Sequence, residues 1–154
     1  MPRIPEKNPR YRNKNALCDD VAFVLSAPLQ WGTQFAVLAD VVWVWSEFNG
    51  KYKGCRYWSR SALQHTAEIK ILVHEHVVPK TTIISLLADL KDPTASAVRH
   101  ILETYCIGVV LTREEDRKLN AAGLRSAMPT EWSDGDVWAR YRLVGIECVD
   151  THAT

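Results

Sequence analysis

The sequence lacks the short motifs that mark many enzyme sites. It has no Gly-rich phosphate loop, no GxSxG motif and no CxxC pair, and its seven glycines are isolated. Positive evidence for a nucleotide-phosphate loop, a serine hydrolase or a zinc ribbon is therefore missing. The formal net charge of +1 gives no general attraction to nucleic acid or to membranes.

Long apolar runs are also missing, so we expect neither a signal peptide nor a membrane span. The four cysteines are widely spaced, which is typical of reduced thiols in the cytosol. We therefore expect a cytoplasmic protein that needs no disulfide to fold. No cofactor or metal is expected, except under the nuclease alternative described below.

Charge is distributed unevenly along the chain. Residues 1–15 hold five basic residues and one acidic residue, a net charge of +4, together with three prolines. This composition predicts a flexible, extended tail, which is either simply solvated or an arm that contacts phosphate or an acidic partner. Residues 16–154 are predicted to form a single globular domain, since a chain of this length can bury a sizeable core.

The strongest helix signal lies in WGTQFAVLADVVWVWSEFNG, residues 31–50. One stripe of apolar residues recurs at spacings of four and three: Trp31, Phe35, Leu38, Val42 and Trp45. Both flanks are apolar as well, which predicts a helix over 31–49 buried on most sides. Trp43 lies about 120° off the stripe, and we interpret it either as part of the same core or as part of a subunit interface.

The remaining pattern predicts an α+β fold. Helices are expected around the central helix 31–49, and a small antiparallel sheet is expected to contain 106–111 and 137–149. Alternating apolar residues in the second of these segments favour a strand with one buried face. The whole is a mainly helical single domain.

Aromatic and basic residues are mixed in GKYKGCRYWSRSALQ, residues 50–64. The candidate binding residues here are Lys51, Lys53, Arg56, Tyr57, Trp58 and Arg60. Cations beside aromatic rings can pair with phosphates and stack on bases, so this segment is a candidate nucleic-acid contact. The alternative is a solvated loop whose aromatic side chains anchor it to the core.

Two histidines bracket a glutamate in KILVHEHVVPK, residues 70–80. If this segment is a strand, His74 and His76 face the same side and Glu75 the opposite side, and the two histidines could bind one metal ion. If it is a helix, His76 joins the apolar side and His74 turns away, so that a shared metal is not expected. The composition leaves both structures open.

The letters EHVVP, residues 75–79, resemble the first half of the HNH (ββα-metal) nuclease core. The resemblance implies that His76 is a general base that activates water, and that Glu75 or His74 helps to hold a divalent metal. The later Asn and the final His or Asn of that family have no counterpart in TTIISLLADL. The resemblance covers about ten residues.

Phrases such as TREEDRKLNAAGLRSAMP and VWARYRLVGI resemble small orphan proteins of phages and mobile elements. That resemblance implies a protein that binds and blocks a larger host assembly, as anti-CRISPR inhibitors and other antagonists of host defence do. It identifies no binding residues. Our first functional hypothesis is therefore a non-enzymatic interaction protein, with a homodimer as one option, and the second is a metal-dependent nuclease built on His74, Glu75 and His76.

Overall fold

The computed structural model describes residues 13–133 and 135–153. Within these residues the chain forms seven α-helices and a four-stranded sheet. The helices are α1 (Lys14–Ser26), α2 (Trp31–Ser46), α3 (Arg60–Leu63), α4 (Lys80–Ala88), α5 (Ala95–Tyr105), α6 (Arg113–Ala121) and α7 (Ala139–Leu143). The strands are β1 (Tyr57–Ser59), β2 (Leu72–His76), β3 (Gly108–Thr112) and β4 (Cys148–Asp150).

The sheet has the strand order β2-β3-β1-β4. The central pair, β1 and β3, is parallel, with Tyr57 opposite Val109, whereas both outer pairs are antiparallel. The predicted α+β class is thus confirmed. The sheet, however, is mixed and not antiparallel throughout, because the helices between β1 and β3 return the chain in the same direction.

The predicted strand over 137–149 is wrong for most of its length. Residues 139–143 form α7, and only Cys148–Asp150 is a strand, which pairs with β1 and not with the segment 106–111. The alternating pattern predicted a strand because it treats every arginine as solvent-exposed. Arg140 and its neighbour Tyr141 are both buried, which a strand with one buried face does not allow.

The predicted central helix is buried over its second half only. Leu38, Val42 and Trp45 of the predicted stripe lie in the core, but Trp31 is 52% exposed. Helix α2 ends at Ser46, a few residues before the predicted end. Helix α2 packs against α1 and α4, and the Gln34 side chain near its start donates to the Val24 carbonyl of α1 at 3.0 Å.

The described residues form three apolar clusters. The largest joins α1, α2, α4 and α5, a second joins strand β3 to α6 and α7, and a third joins β1, α3, β2 and β3. Helix α1 begins at Lys14, where the Asn13 side chain accepts hydrogen bonds from the first backbone N–H groups of the helix. The predicted tail, residues 1–15, otherwise lies outside the described residues. No helix of the described part of the chain is long and apolar enough to cross a membrane.

Candidate functional sites

Strand β2 places the two histidines on one face of the sheet. Burial alternates along Leu72–His76, with His74 and His76 only 3% and 2% exposed and Glu75 turned to the opposite face. Of the two structures that the sequence left open, the strand is the one that forms. The histidine rings lie 6.2 Å apart, measured between their centroids.

The hydroxyl of Ser46, at the end of α2, lies between the two rings. Its Oγ is 2.9 Å from Nε2 of His76 and 3.4 Å from Nε2 of His74. Nδ1 of His74 is 2.6 Å from the carbonyl oxygen of Lys51, and a carbonyl only accepts, so Nδ1 carries the proton. Nε2 of the neutral His74 ring is therefore the acceptor in this network.

Trp43 and Gly108 close the network on two sides. The Trp43 ring is 4.2 Å from the His76 ring, centroid to centroid, so this tryptophan packs against histidines of its own chain. A Cβ on Gly108 would lie 2.6 Å from Cε1 of His74, which is closer than real contacts allow. A glycine is thus required where β3 passes the imidazole. We call Trp43, Ser46, His74 and His76 the histidine–serine cluster.

Burial keeps both histidines of this cluster neutral. Loss of solvation lowers the pKa of His74 below its usual value, and it lowers the pKa of His76 to about 3. The second-largest cause at His76 is repulsion from His74. Two neutral imidazoles can donate and accept hydrogen bonds, but they hold no charge near neutral pH.

Glu75 is engaged on the other face of the sheet. Its Oε1 accepts a hydrogen bond of 2.9 Å from Nη2 of Arg140, whose side chain is fully buried. The same guanidinium donates to the backbone carbonyls of His76, Val77 and Leu124. Arg140 therefore ties β2, α7 and the loop after α6 together, and Glu75 is its counter-ion.

This arrangement gives the nuclease hypothesis no geometric support. Glu75 and the two histidines point to opposite faces, and the third neighbour of the histidines is a serine hydroxyl. Residues 13–133 and 135–153 contain no group of three or more His, Cys, Asp or Glu side chains that could hold a metal ion.

The residues predicted in 51–60 separate into different environments. Trp58 is buried, and its indole nitrogen donates to the Cys55 carbonyl at 3.0 Å, so this ring anchors the segment to the core, as the second alternative describes. Lys51 and Lys53 are exposed. The remaining three residues, Arg56, Tyr57 and Arg60, lie beside strand β4.

An open groove lies next to β4, and Tyr57 is part of its wall. Its volume is about 650 Å³, and apolar surface makes up most of its lining. Its residues are Tyr57, Trp138, Tyr141, Arg142, Gly145, Ile146, Glu147, Cys148 and Asp150. We call this feature the aromatic groove.

Three rings form the wall of the aromatic groove by edge-to-face contacts. The Trp138 ring lies 5.2 Å from Tyr57 and 5.6 Å from Tyr141, between ring centroids. Such contacts fix the rings relative to one another. The sequence pattern missed Trp138 and Tyr141 as site residues because the segment around them was interpreted as a strand.

The charges at the rim of the groove are compensated within the chain. Arg56 makes a two-bond contact with Asp150, at 2.9 and 2.7 Å, and Arg60 lies 2.7 Å from Glu147. Arg142 pairs with a carboxylate outside the groove. The groove therefore offers a ligand an apolar wall and little uncompensated charge.

Comparison of this chain with protein-family models, with curated proteins and with solved structures returned no match. Its function must consequently be argued from its own residues.

Proposed function

We propose that this protein is a non-enzymatic binding module that holds an apolar, extended segment of a partner protein in the aromatic groove. The observation that carries the proposal is the groove itself, about 650 Å³ with three mutually braced aromatic rings along one wall. Rigid aromatic side chains in pockets supply most of the energy at protein interfaces.

The chemistry of the expected segment follows from two features of the groove. Because the two carboxylates of the groove, Asp150 and Glu147, are already paired with Arg56 and Arg60, the groove favours an uncharged ligand. Strand β4 is also an edge strand of the sheet that the described residues form. An extended segment can add to such an edge while its side chains enter the adjacent groove.

The wider biological role rests on the resemblance to small phage proteins. It implies that the partner belongs to a larger protein or protein–nucleic-acid assembly of the host, which binding would inhibit, as an anti-CRISPR-type protein does. We propose the cytoplasm as the location, since all four cysteines are free thiols. A homodimer, one option from the sequence, stays a proposal that light scattering checks.

Selection from a displayed library of random peptides tests the groove directly. We expect enriched peptides with apolar, β-branched and aromatic residues, and we expect binding to be lost in Trp138→Ala. Trp132→Ala is the matched control, because Trp132 is also half-buried but lies outside the groove. Thermal melts show that each variant is folded.

NMR titration with an enriched peptide locates its site. The amide signals of residues 148–150 and of Tyr57 should shift, whereas those of α1 should not. Failure of the library to enrich any peptide, or equal binding by Trp138→Ala, would refute the groove as the binding site. Plasmid cleavage with magnesium, manganese or zinc that is lost in His76→Ala would instead support the nuclease.

A further inference from the structure

A second, smaller cavity lies between the end of α2, the loop that leads to β1 and the start of β3. Its volume is about 300 Å³, and its lining is mainly polar. Lys14, Arg56 and His152 line it from three separate parts of the chain, and no aspartate or glutamate is among its described lining residues. The cavity therefore presents two cationic side chains, Lys14 and Arg56, to a ligand, and the carboxylate that pairs with Arg56, Asp150, is not one of its described lining residues.

The lysine is held at the cavity by aromatic rings. Its Nζ lies 4.4 Å from the centroid of the Trp45 ring and 5.1 Å from that of Phe48. Cation–π contacts of this kind orient an ammonium group without neutralising its charge. Lys14 can therefore still donate to an anion in the cavity.

Arg56 contributes to the cavity while it anchors the C-terminal strand. Its bonds to Asp150 use Nε and Nη2, two of the three guanidinium nitrogens, and Asp150 lines the aromatic groove instead of this cavity. The ion pair fixes the guanidinium in place. A fixed arginine at a cavity wall is suited to oxygen atoms of a phosphate.

The cavity wall is preformed by a tight loop. A Cβ on Gly54 would lie 1.5 Å from the carbonyl oxygen of Asn49, and Gly50 has φ of 119°, a conformation that favours glycine. The loop can close in this way only with glycine at both positions. A preformed wall reduces the entropy that ligand binding would cost.

We propose that this cavity binds a phosphate monoester no larger than a mononucleotide. The positive charges of Lys14 and Arg56 favour an anion. The volume of the cavity lies at the small end of the ~300–1,000 Å³ range of ligand sites. In the sequence, Lys14 also belongs to the basic segment 1–15, whose net charge is +4 from five basic residues and one acid. The phosphate belongs either to a free sugar phosphate or to the 5′ end of a nucleic acid.

Titrations followed by NMR distinguish these two sources. The probes are ribose 5-phosphate with ribose as its control, and a short single-stranded oligonucleotide with and without a 5′-phosphate. We expect the phosphorylated form of at least one pair to bind with a Kd of about 1 mM or tighter, and its unphosphorylated partner to bind far more weakly. Ribose 5-phosphate binding identifies a free metabolite, and binding of the phosphorylated oligonucleotide alone identifies a nucleic-acid end.

The variant Lys14→Gln removes one cation without removing the ion pair of Arg56. It should weaken phosphate binding about tenfold or more, as expected for loss of a charged hydrogen bond. Lys118→Gln, on the exposed face of α6 and outside the cavity, should leave binding unchanged. The proposal is overturned if neither phosphorylated probe shifts the amides that line the cavity, or if Lys14→Gln binds as tightly as the wild type.

Discussion

The folded protein should lose stability as the pH falls from 6.5 to 5, and His76 should cause much of that loss. Its pKa is lowered by burial from the ordinary 6.5 to about 3. In this range the unfolded chain takes up a proton at His76 and the folded chain does not, so acidification favours unfolding. The stabilising contribution is complete above pH 6.5 and is lost progressively toward pH 3.

The expected size of the effect follows from the same two pKa values. A difference of one unit in pKa corresponds to about 1.4 kcal/mol, so lowering the pH to 5 removes about 2 kcal/mol through His76. His74, whose pKa is lowered by the same cause, acts in the same direction. A loss of this size is large beside the ~5–15 kcal/mol by which domains are typically stable.

Denaturant unfolding at several pH values between 7 and 5 measures the slope of the free energy of unfolding against pH. His76→Gln removes the titrating group and should flatten this pH dependence. The difference between the slopes of wild type and His76→Gln isolates His76 from carboxylates that titrate nearby. Equal slopes in these two proteins would refute the inference that His76 is buried and neutral.

Two further substitutions test the contacts around the sheet. Arg140→Met leaves a carboxylate and several buried carbonyls without their donor and should lower the free energy of unfolding by about 3–5 kcal/mol. Arg142→Met, at an exposed ion pair, should lower it by about 1 kcal/mol or less. Denaturant unfolding at neutral pH compares the two variants, and equal losses would contradict the anchoring role of Arg140. Gly108→Ala places a Cβ 2.6 Å from Cε1 of His74 and should cost about 1–3 kcal/mol. Gly135→Ala is the control, because its added Cβ meets no atom within 4 Å. A similar loss of melting temperature in both variants would disprove the close approach of Gly108 to the His74 ring.

Features set by neighbouring residues could be predicted from the sequence. The capping box of Thr112 and Glu115 is an example: a threonine followed three residues later by a glutamate is its sequence signature, and in the structure this pair starts α6 and makes both hydrogen bonds. The shared face of His74 and His76 is a partial example: it follows from the two-residue period of a strand, but the composition left strand and helix open for this segment. In both cases the residues involved are at most three positions apart.

Features set by distant contacts could not be predicted in this way. Ser46 carries no signal in the sequence, since it is one serine at the end of an apolar helix, and its partners lie 28 and 30 positions further along the chain. The parallel pairing of β1 with β3 likewise joins segments far apart in the chain. Arg140 was missed because a buried arginine depends on carbonyls that only the folded chain brings together.

The polar side chains of β2 are all engaged by other groups of the chain. On one face of the sheet, His74 and His76 are hydrogen-bonded to Ser46 and to backbone carbonyls. On the other face, Glu75 is paired with Arg140. Groups so fully engaged stabilise a fold but do not meet a substrate. The aromatic groove and the smaller cavity beside Lys14 and Arg56 are open to ligands. The variants Trp138→Ala and Lys14→Gln test binding at these two surfaces separately.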